Sequence, residues 1–307
     1  RRSGRRQQVN ERAFRTSRHS LDAASLPARL WQKSKVYGVW NPTDIDFTAD
    51  RLHWQALSAA EQDLLLRLSA LFQAGEESVA QDLLPLIDAI SREGRLEEEM
   101  YLTAFLWEEA KHVELFRRFL DQVVEAKSDL APYHSPSFRR LFGVELPRAL
   151  DQLRTDRSPI AQAKASVTYN MVVEGVLAEA GYHGYHRTLT RLGIMPGMQH
   201  AVGLLQRDES RHIAYGVFLL SRLIAEHGEP VWEAIEERMN ELLPLALGVI
   251  EEAFAAYDTV PFGLTIDEFS GYATEQFQRR YARLELARTL SLEELHRSVA
   301  TEASEEA

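Results

Sequence analysis

Apolar residues recur at three- and four-residue intervals along most of the chain, and no stretch alternates apolar and polar as a half-buried strand would. The pattern predicts an all-α protein. Ser58 with Glu61 has the spacing of a capping box, starting a helix that runs to about Leu84, where Pro85 kinks or stops it. A turn is predicted at 91–94, then a helix over about 96–125, a Pro- and Ser-rich loop over 128–137 and a shorter helix over 138–154. Ser158 and Pro159 fit the N-cap and first position of a helix reaching about residue 192, closed by Gly193 and Pro196. Helices over about 198–226, 230–257 and 266–288 complete the series. Residues 21–57 carry turn signals such as Asn41-Pro42 and the anchors Trp31, Trp40 and Trp54, and are expected to wrap the domain as an extended lead-in. The arginine-rich residues 1–20 read as a solvated, disordered arm, 21–288 as the folded domain and 289–307 as an acidic tail.

Ionisable residues interrupt the apolar stripes at particular places. Phe72, Glu76, Val79 and Leu83 share one helical face, whereas Glu77 falls with Gln73 and Gln81 on a polar one. Leu102, Phe105, Glu109, His112 and Phe116 share a second face, with Glu108 and Lys111 off it. Glu174 stands among Val167, Met171 and Leu177, and Leu205, Glu209, His212, Gly216 and Leu219 form a further stripe. Glu109-x-x-His112 and Glu209-x-x-His212 therefore each aim a carboxylate and an imidazole at one point. A third such pair, Glu293 and His296, lies outside its own stripe of Leu292, Leu295 and Val299 and reads as a surface pair.

The spacing brings these residues to one height. Glu76 precedes the Gly94 turn by 18 residues and Glu109 follows it by 15; Glu174 precedes Gly193 by 19 and Glu209 follows it by 16. At about 1.5 Å per residue, each antiparallel hairpin climbs and descends by nearly equal amounts. Four carboxylates and two imidazoles become level, which is the ligand pattern of the ferritin-like dinuclear carboxylate bundle. Burying so many ionisable groups without a cation would be very costly. Oxygen and nitrogen donors without sulfur suit iron or manganese, and the chemistry implied is O2 activation. Asp208, beside Glu209, is a candidate hydrogen-bond partner for His112.

Composition narrows the possibilities. The 307 residues are 45% hydrophobic, enough for a substantial core, and the net charge of −11 disfavours a nucleic-acid surface. No cysteine is present, which excludes disulfides, thiolate zinc sites and cysteine-held iron–sulfur clusters and fits a reducing, cytoplasmic setting. No apolar run is long enough to span a bilayer.

The set Glu76, Glu109-x-x-His112, Glu174 and Asp208-Glu209-x-x-His212 resembles the ribonucleotide-reductase small subunit and, more closely, the ligand-binding oxidase branch of that superfamily. The resemblance runs from about Ser25 to about Phe269 and includes Trp40-Asn41-Pro42, Ala74-Gly75-Glu76-Glu77, Met100-Tyr101-Leu102-Thr103, Val167-Thr168-Tyr169-Asn170 and Met239-Asn240-Glu241-Leu242. It implies one manganese near Glu76, Glu109 and His112 and one iron near Glu174, Glu209 and His212, with a di-iron form also able to assemble. It further implies a homodimer, a long-chain fatty acid in a hydrophobic channel over the metals, and an ether cross-link between Val79 and Tyr169 made when O2 oxidises the centre. Val79 lies one turn after Glu76, so it can face the metals; Tyr169, five residues before Glu174, needs a π-bulge to do so. Tyr182, after Gly181, is expected on the channel wall, and an electron donor for repeated turnover is an unidentified partner.

The main alternative is a reductase small subunit of the manganese/iron subtype. In tyrosyl-radical reductases the radical residue follows the glutamate of the first Glu-x-x-His by seven positions, and here that position is Phe116. Iron storage and a lipid-binding protein with a structural metal are more distant alternatives.

Overall fold

The computed structural model describes residues 14–289 and residue 294; the pair Glu293/His296, residues 1–13 of the expected arm and nearly all of the expected tail lie outside them. Every regular element among the described residues is helical. The elements are α1 (Leu26–Tyr37), α2 (Thr48–Ala56), α3 (Ala59–Asp82), α4 (Leu84–Arg92), α5 (Leu96–Phe119), α6 (136–152), α7 (159–190), α8 (Pro196–His227), α9 (Glu229–Phe254) and α10 (Ile266–Ala287). None of these helices is long and apolar enough to cross a membrane.

Helices α3, α5, α7 and α8 form a four-helix core: α3 packs on α5, α7 on α8, and α5 on α8. α9 and α10 cover the outer face of α7, and α1 lies along α5 and α8. The expected all-α bundle with added helices is the observed architecture. The capping box at Ser58 forms in both directions, with Glu61 bonding back to the Ser58 N–H at 2.8 Å. The hairpin turns fall at Gly94 and Gly193, with φ of 74° and 64°, a backbone region open to glycine at no steric cost.

Residues 21–57 are not an extended lead-in but contain α1 and α2. Ser25 caps α1 and Pro27 opens it, while Leu26, Leu30 and Ser34 are buried against the bundle. These helices have 12 and 9 residues, so each offers too few turns for a clear periodic stripe. Asp50 of α2 is buried and accepts from the Gly197 and Met198 N–H groups at 2.9 and 2.7 Å, capping α8 from outside. Arg15, within the arginine-rich lead, donates two 2.6 Å bonds to Glu97 of α5.

α7 is not a uniform helix. Residues Val167–Ala178 form a π-helical segment that contains both Tyr169 and Glu174. The wider turn rotates side chains relative to a regular helix and brings residues five apart toward one face.

Candidate metal centre

Each core helix contributes to one buried cluster at its middle. Glu76 comes from α3, Glu109 and His112 from α5, Glu174 from α7, and Glu209 and His212 from α8. None is more than 5% exposed. Donor atoms of Glu76, Glu109, His112 and Glu209 all lie within 4.8 Å of one another, as do those of Glu109, Glu174 and His212. Glu109 belongs to both groups. Glu209 also spans them, with Oε1 3.4 Å from His112 Nδ1 and Oε2 3.8 Å from His212 Nδ1. The geometry therefore sets both carboxylates between the imidazoles, where the resemblance divided them one to each side.

Hydrogen bonds divide five of these six side chains, all but Glu76, into a spent atom and an unspent one. Tyr169 O–H donates to Glu109 Oε1 at 3.2 Å, Tyr182 O–H to Glu209 Oε1 at 3.3 Å, and Asn170 Nδ2 to Glu174 Oε2 at 2.9 Å. His112 Nε2 meets Asp208 Oδ2 at 3.2 Å, and His212 Nε2 meets Glu108 Oε2 at 2.9 Å. The opposite atoms, Glu109 Oε2, His112 Nδ1, Glu174 Oε1, Glu209 Oε2 and His212 Nδ1, are buried with no hydrogen-bond partner. Buried polar atoms are rarely left so, and five facing one volume is a donor set that fits cations. Each Nε2 bond also fixes its ring so that Nδ1 faces inward.

The electrostatics of the protein side chains alone show the charge problem. Burial pushes the Glu76 carboxyl up to about 8 and the Glu174 carboxyl well above its usual range. Burial also acts upward on Glu109, but the two imidazoles, with Nδ1 atoms 3.4 and 3.2 Å from its oxygens, outweigh it, and its net displacement is downward. Burial would lower both histidines, yet the carboxylates around them hold both well above the ordinary imidazole value. The cluster thus holds protons that a divalent ion would displace, because ligands must be deprotonated to bind.

Asp208 stands where the sequence placed it, against His112. Its counterpart Glu108, which the stripe pattern leaves off the apolar face, is fully buried. The physical reason is α1: it packs on α5 and covers the face that a single-stripe reading leaves in water. The signal was present as the echo of Glu108-Glu109-x-Lys111-His112 in Asp208-Glu209-x-Arg211-His212. The acids cross over, Glu108 of α5 serving His212 of α8 and Asp208 of α8 serving His112 of α5. Arg211 Nη2 joins Glu108 at 2.7 Å and also contacts Asp208; Lys111 reaches Asp208 at 3.1 Å and the Gly38 carbonyl at 2.5 Å. Trp40 Nε1 donates to Asp208 Oδ2 at 2.8 Å. The spacing assigns no role to Ser166 or to Asn170, the latter named only within a resemblance motif, because nothing in it distinguishes them from ordinary core.

A cavity of about 150 Å3 opens from the cluster. Glu76, Val79, Glu109, Glu174 and Glu209 line its inner end, and it runs outward between α3 and α7 past Phe72 and Gly181. Gly181 keeps this wall close, since a Cβ there would lie 2.5 Å from the Phe72 ring. Tyr182, expected on the wall, instead turns to Glu209 and stacks on Phe72 at 5.0 Å between ring centres. Phe116 is buried and also stacks on Phe72, at 4.8 Å between ring centres. Tyr169 O–H lies 3.2 Å from the Val79 carbonyl oxygen, so the two residues meet beside Glu109.

Residues 28–289 match the family model described as ribonucleotide reductase, small chain. Among solved structures, the chain is similar to an R2-like ligand-binding oxidase from Sulfolobus acidocaldarius, at 38% identity over 92% of this chain and 98% of that one, with a TM-score of 0.85. A variant of an R2-like ligand-binding oxidase with an anaerobically reconstituted Mn/Fe cofactor matches at 35% identity, 89% and 98% coverage and a TM-score of 0.84. Another such variant, with a non-activated Mn/Mn cofactor, matches at 35% identity, 90% and 98% coverage and the same TM-score of 0.84. With the four-helix core, the paired Glu-x-x-His motifs and this likeness over nearly its whole length, the chain belongs to the ribonucleotide reductase small-chain family, in its R2-like ligand-binding oxidase branch.

Proposed function

We propose that this protein is an O2-activating oxidase with one manganese and one iron, or two irons, held by Glu76, Glu109, His112, Glu174, Glu209 and His212. The observation that carries the reading is the set of five buried, unpartnered donor atoms facing one volume. Manganese would sit toward Glu76 and His112 and iron toward Glu174 and His212, with Glu109 and Glu209 between them. When bound, the metal pair supplies the oxidising equivalents taken from O2.

The chain's own residues set what is oxidised. The apolar cavity suits a long-chain fatty acid or similar amphiphile, its head among the carboxylates and its tail between α3 and α7. Tyr169 is kept protonated, its pKa raised well above the ordinary value by burial and by neighbouring carboxylates, and it donates to Glu109. The approach of its oxygen to Val79, 3.2 Å from the carbonyl oxygen, supports an ether bond to the Val79 Cβ: one C–H and one O–H bond would break, two protons would leave, and two electrons would pass to oxidising equivalents that O2 and the bound metals would supply. Oxidation of a lipid-like substrate at the same position is the activity proposed, with an external donor returning electrons for further turnover.

Anaerobic loading with Mn(II) and Fe(II), followed by air, tests this. We expect two metals per chain by elemental analysis, loss of two hydrogens from the intact mass, and joined Val79 and Tyr169 tryptic peptides. Two bound metals with unchanged mass and separate peptides after oxygen exposure would remove the cross-link. Ribonucleotide reduction on adding a large reductase subunit would favour the reductase reading.

A further inference from the structure

We propose that Asn170 is a positioning residue that reserves one oxygen of Glu174 for a cation; the proposal rests on the metal reading above. Asn170 is fully buried in the π-helical segment of α7. Its Nδ2 donates to Glu174 Oε2 at 2.9 Å, and Glu174 Oε1 is left buried and without a hydrogen-bond partner. The amide is itself held: Ser166 O–H donates to Asn170 Oδ1 at 2.8 Å, which fixes the nitrogen end toward the carboxylate. Gly216 of α8 makes the room, because a Cβ there would lie 2.2 Å from the Asn170 Cβ.

The choice of donor matters. A lysine or arginine in this place would cancel the charge of Glu174 and compete with an incoming cation. A neutral amide occupies one oxygen without cancelling the charge of the carboxylate, and leaves the other oxygen open to a cation. Glu109 and Glu209 receive the same treatment from the neutral hydroxyls of Tyr169 and Tyr182. Asn170 differs from those tyrosines because its own orientation is locked by a third residue. It therefore holds Glu174 to one rotamer, with Oε1 turned to His212, whose Nδ1 is 3.5 Å away. Freed of the amide, Glu174 could turn either oxygen inward or fold both onto one ion.

The test is a competition titration of Mn(II) and Fe(II), under anaerobic conditions, into wild type, Asn170→Leu, Ser166→Ala and the control Ser69→Ala. Leucine keeps the branching and the number of heavy atoms, though it is bulkier, and removes the donor. Ser166→Ala keeps the amide and releases its anchor. Ser69→Ala removes a different buried hydrogen bond, to Tyr185, which involves none of the six cluster residues. Removing a group that orients a metal ligand typically lowers metal affinity about 10–100-fold. We expect one of the two ions to bind at least about tenfold more weakly in Asn170→Leu, with a smaller loss in Ser166→Ala and none in Ser69→Ala. The Mn(II) paramagnetic resonance spectrum should change in the first two variants and match wild type in the third. Unchanged or tighter binding in Asn170→Leu overturns the proposal. If that variant does not fold, unchanged affinity and spectrum in Ser166→Ala overturn it instead. A wild-type protein that takes up neither ion would overturn the metal reading itself, which is a distinguishable failure.

Discussion

Replacing Glu108 by alanine probes the crossed arrangement behind the imidazoles. The side chain is fully buried, accepts from Arg211 at 2.7 Å and meets His212 Nε2 at 2.9 Å. Removing one partner of a buried ion pair costs about 3–5 kcal/mol. Arg211 retains its contact with Asp208, so the low end, about 3 kcal/mol, is expected for the metal-free protein. A second loss appears only with metal. His212 then lacks the acceptor that fixes its ring, and affinity at that ion should fall about 10–100-fold, or about 1.4–2.7 kcal/mol. Urea unfolding with and without metal separates the two terms, and a competition titration gives the second directly. Glu77→Ala is the control, because Glu77 is exposed on the same helix as Glu76 and its removal should stay within about 0.5 kcal/mol. A Glu108→Ala protein less than about 1 kcal/mol destabilised, with wild-type metal affinity, would refute the role given to Glu108.

Other outcomes follow from the same geometry. Glu109→Ala or His212→Ala should each lower metal content per chain by elemental analysis; two metals retained in both would contradict the ligand assignment. Tyr169→Phe should still bind two metals yet show no joined peptide after air, and a joined peptide would remove Tyr169 from the reaction. Metal stabilisation should grow as pH rises from about 5 to about 8. The raised carboxyl of Glu76, pushed up to about 8, contributes stability to the metal-free fold at low pH that is lost as pH rises through that value, and the raised histidines act in the same direction. A metal-induced rise in melting temperature that is flat or falling across that window would count against proton displacement. Gly181→Leu should narrow the cavity, since even a Cβ meets Phe72 at 2.5 Å, and should lower the amount of co-purified fatty acid by mass spectrometry. Equal lipid content would place the ligand elsewhere.

The chain by itself determined the helices long enough to show a stripe, the two glycine turns, and the level at which Glu76, Glu109, Glu174 and Glu209 meet. Those follow from periodicity and rise per residue, which are local quantities. The sequence also held Asp208 in plain view, as the acid beside a Glu-x-x-His. Only the tertiary structure decided what lay across a helix–helix gap. Whether the Glu108 face of α5 sees water depends on α1, a short helix more than seventy residues earlier whose burial comes from contacts rather than periodicity. The inward turn of Tyr169 depends on a π-helical segment that costs regular hydrogen bonding and persists because its side chains are packed on every side. Which oxygen of each carboxylate remains unspent depends on Asn170, Tyr169 and Tyr182 arriving from particular directions, and no spacing rule encodes direction.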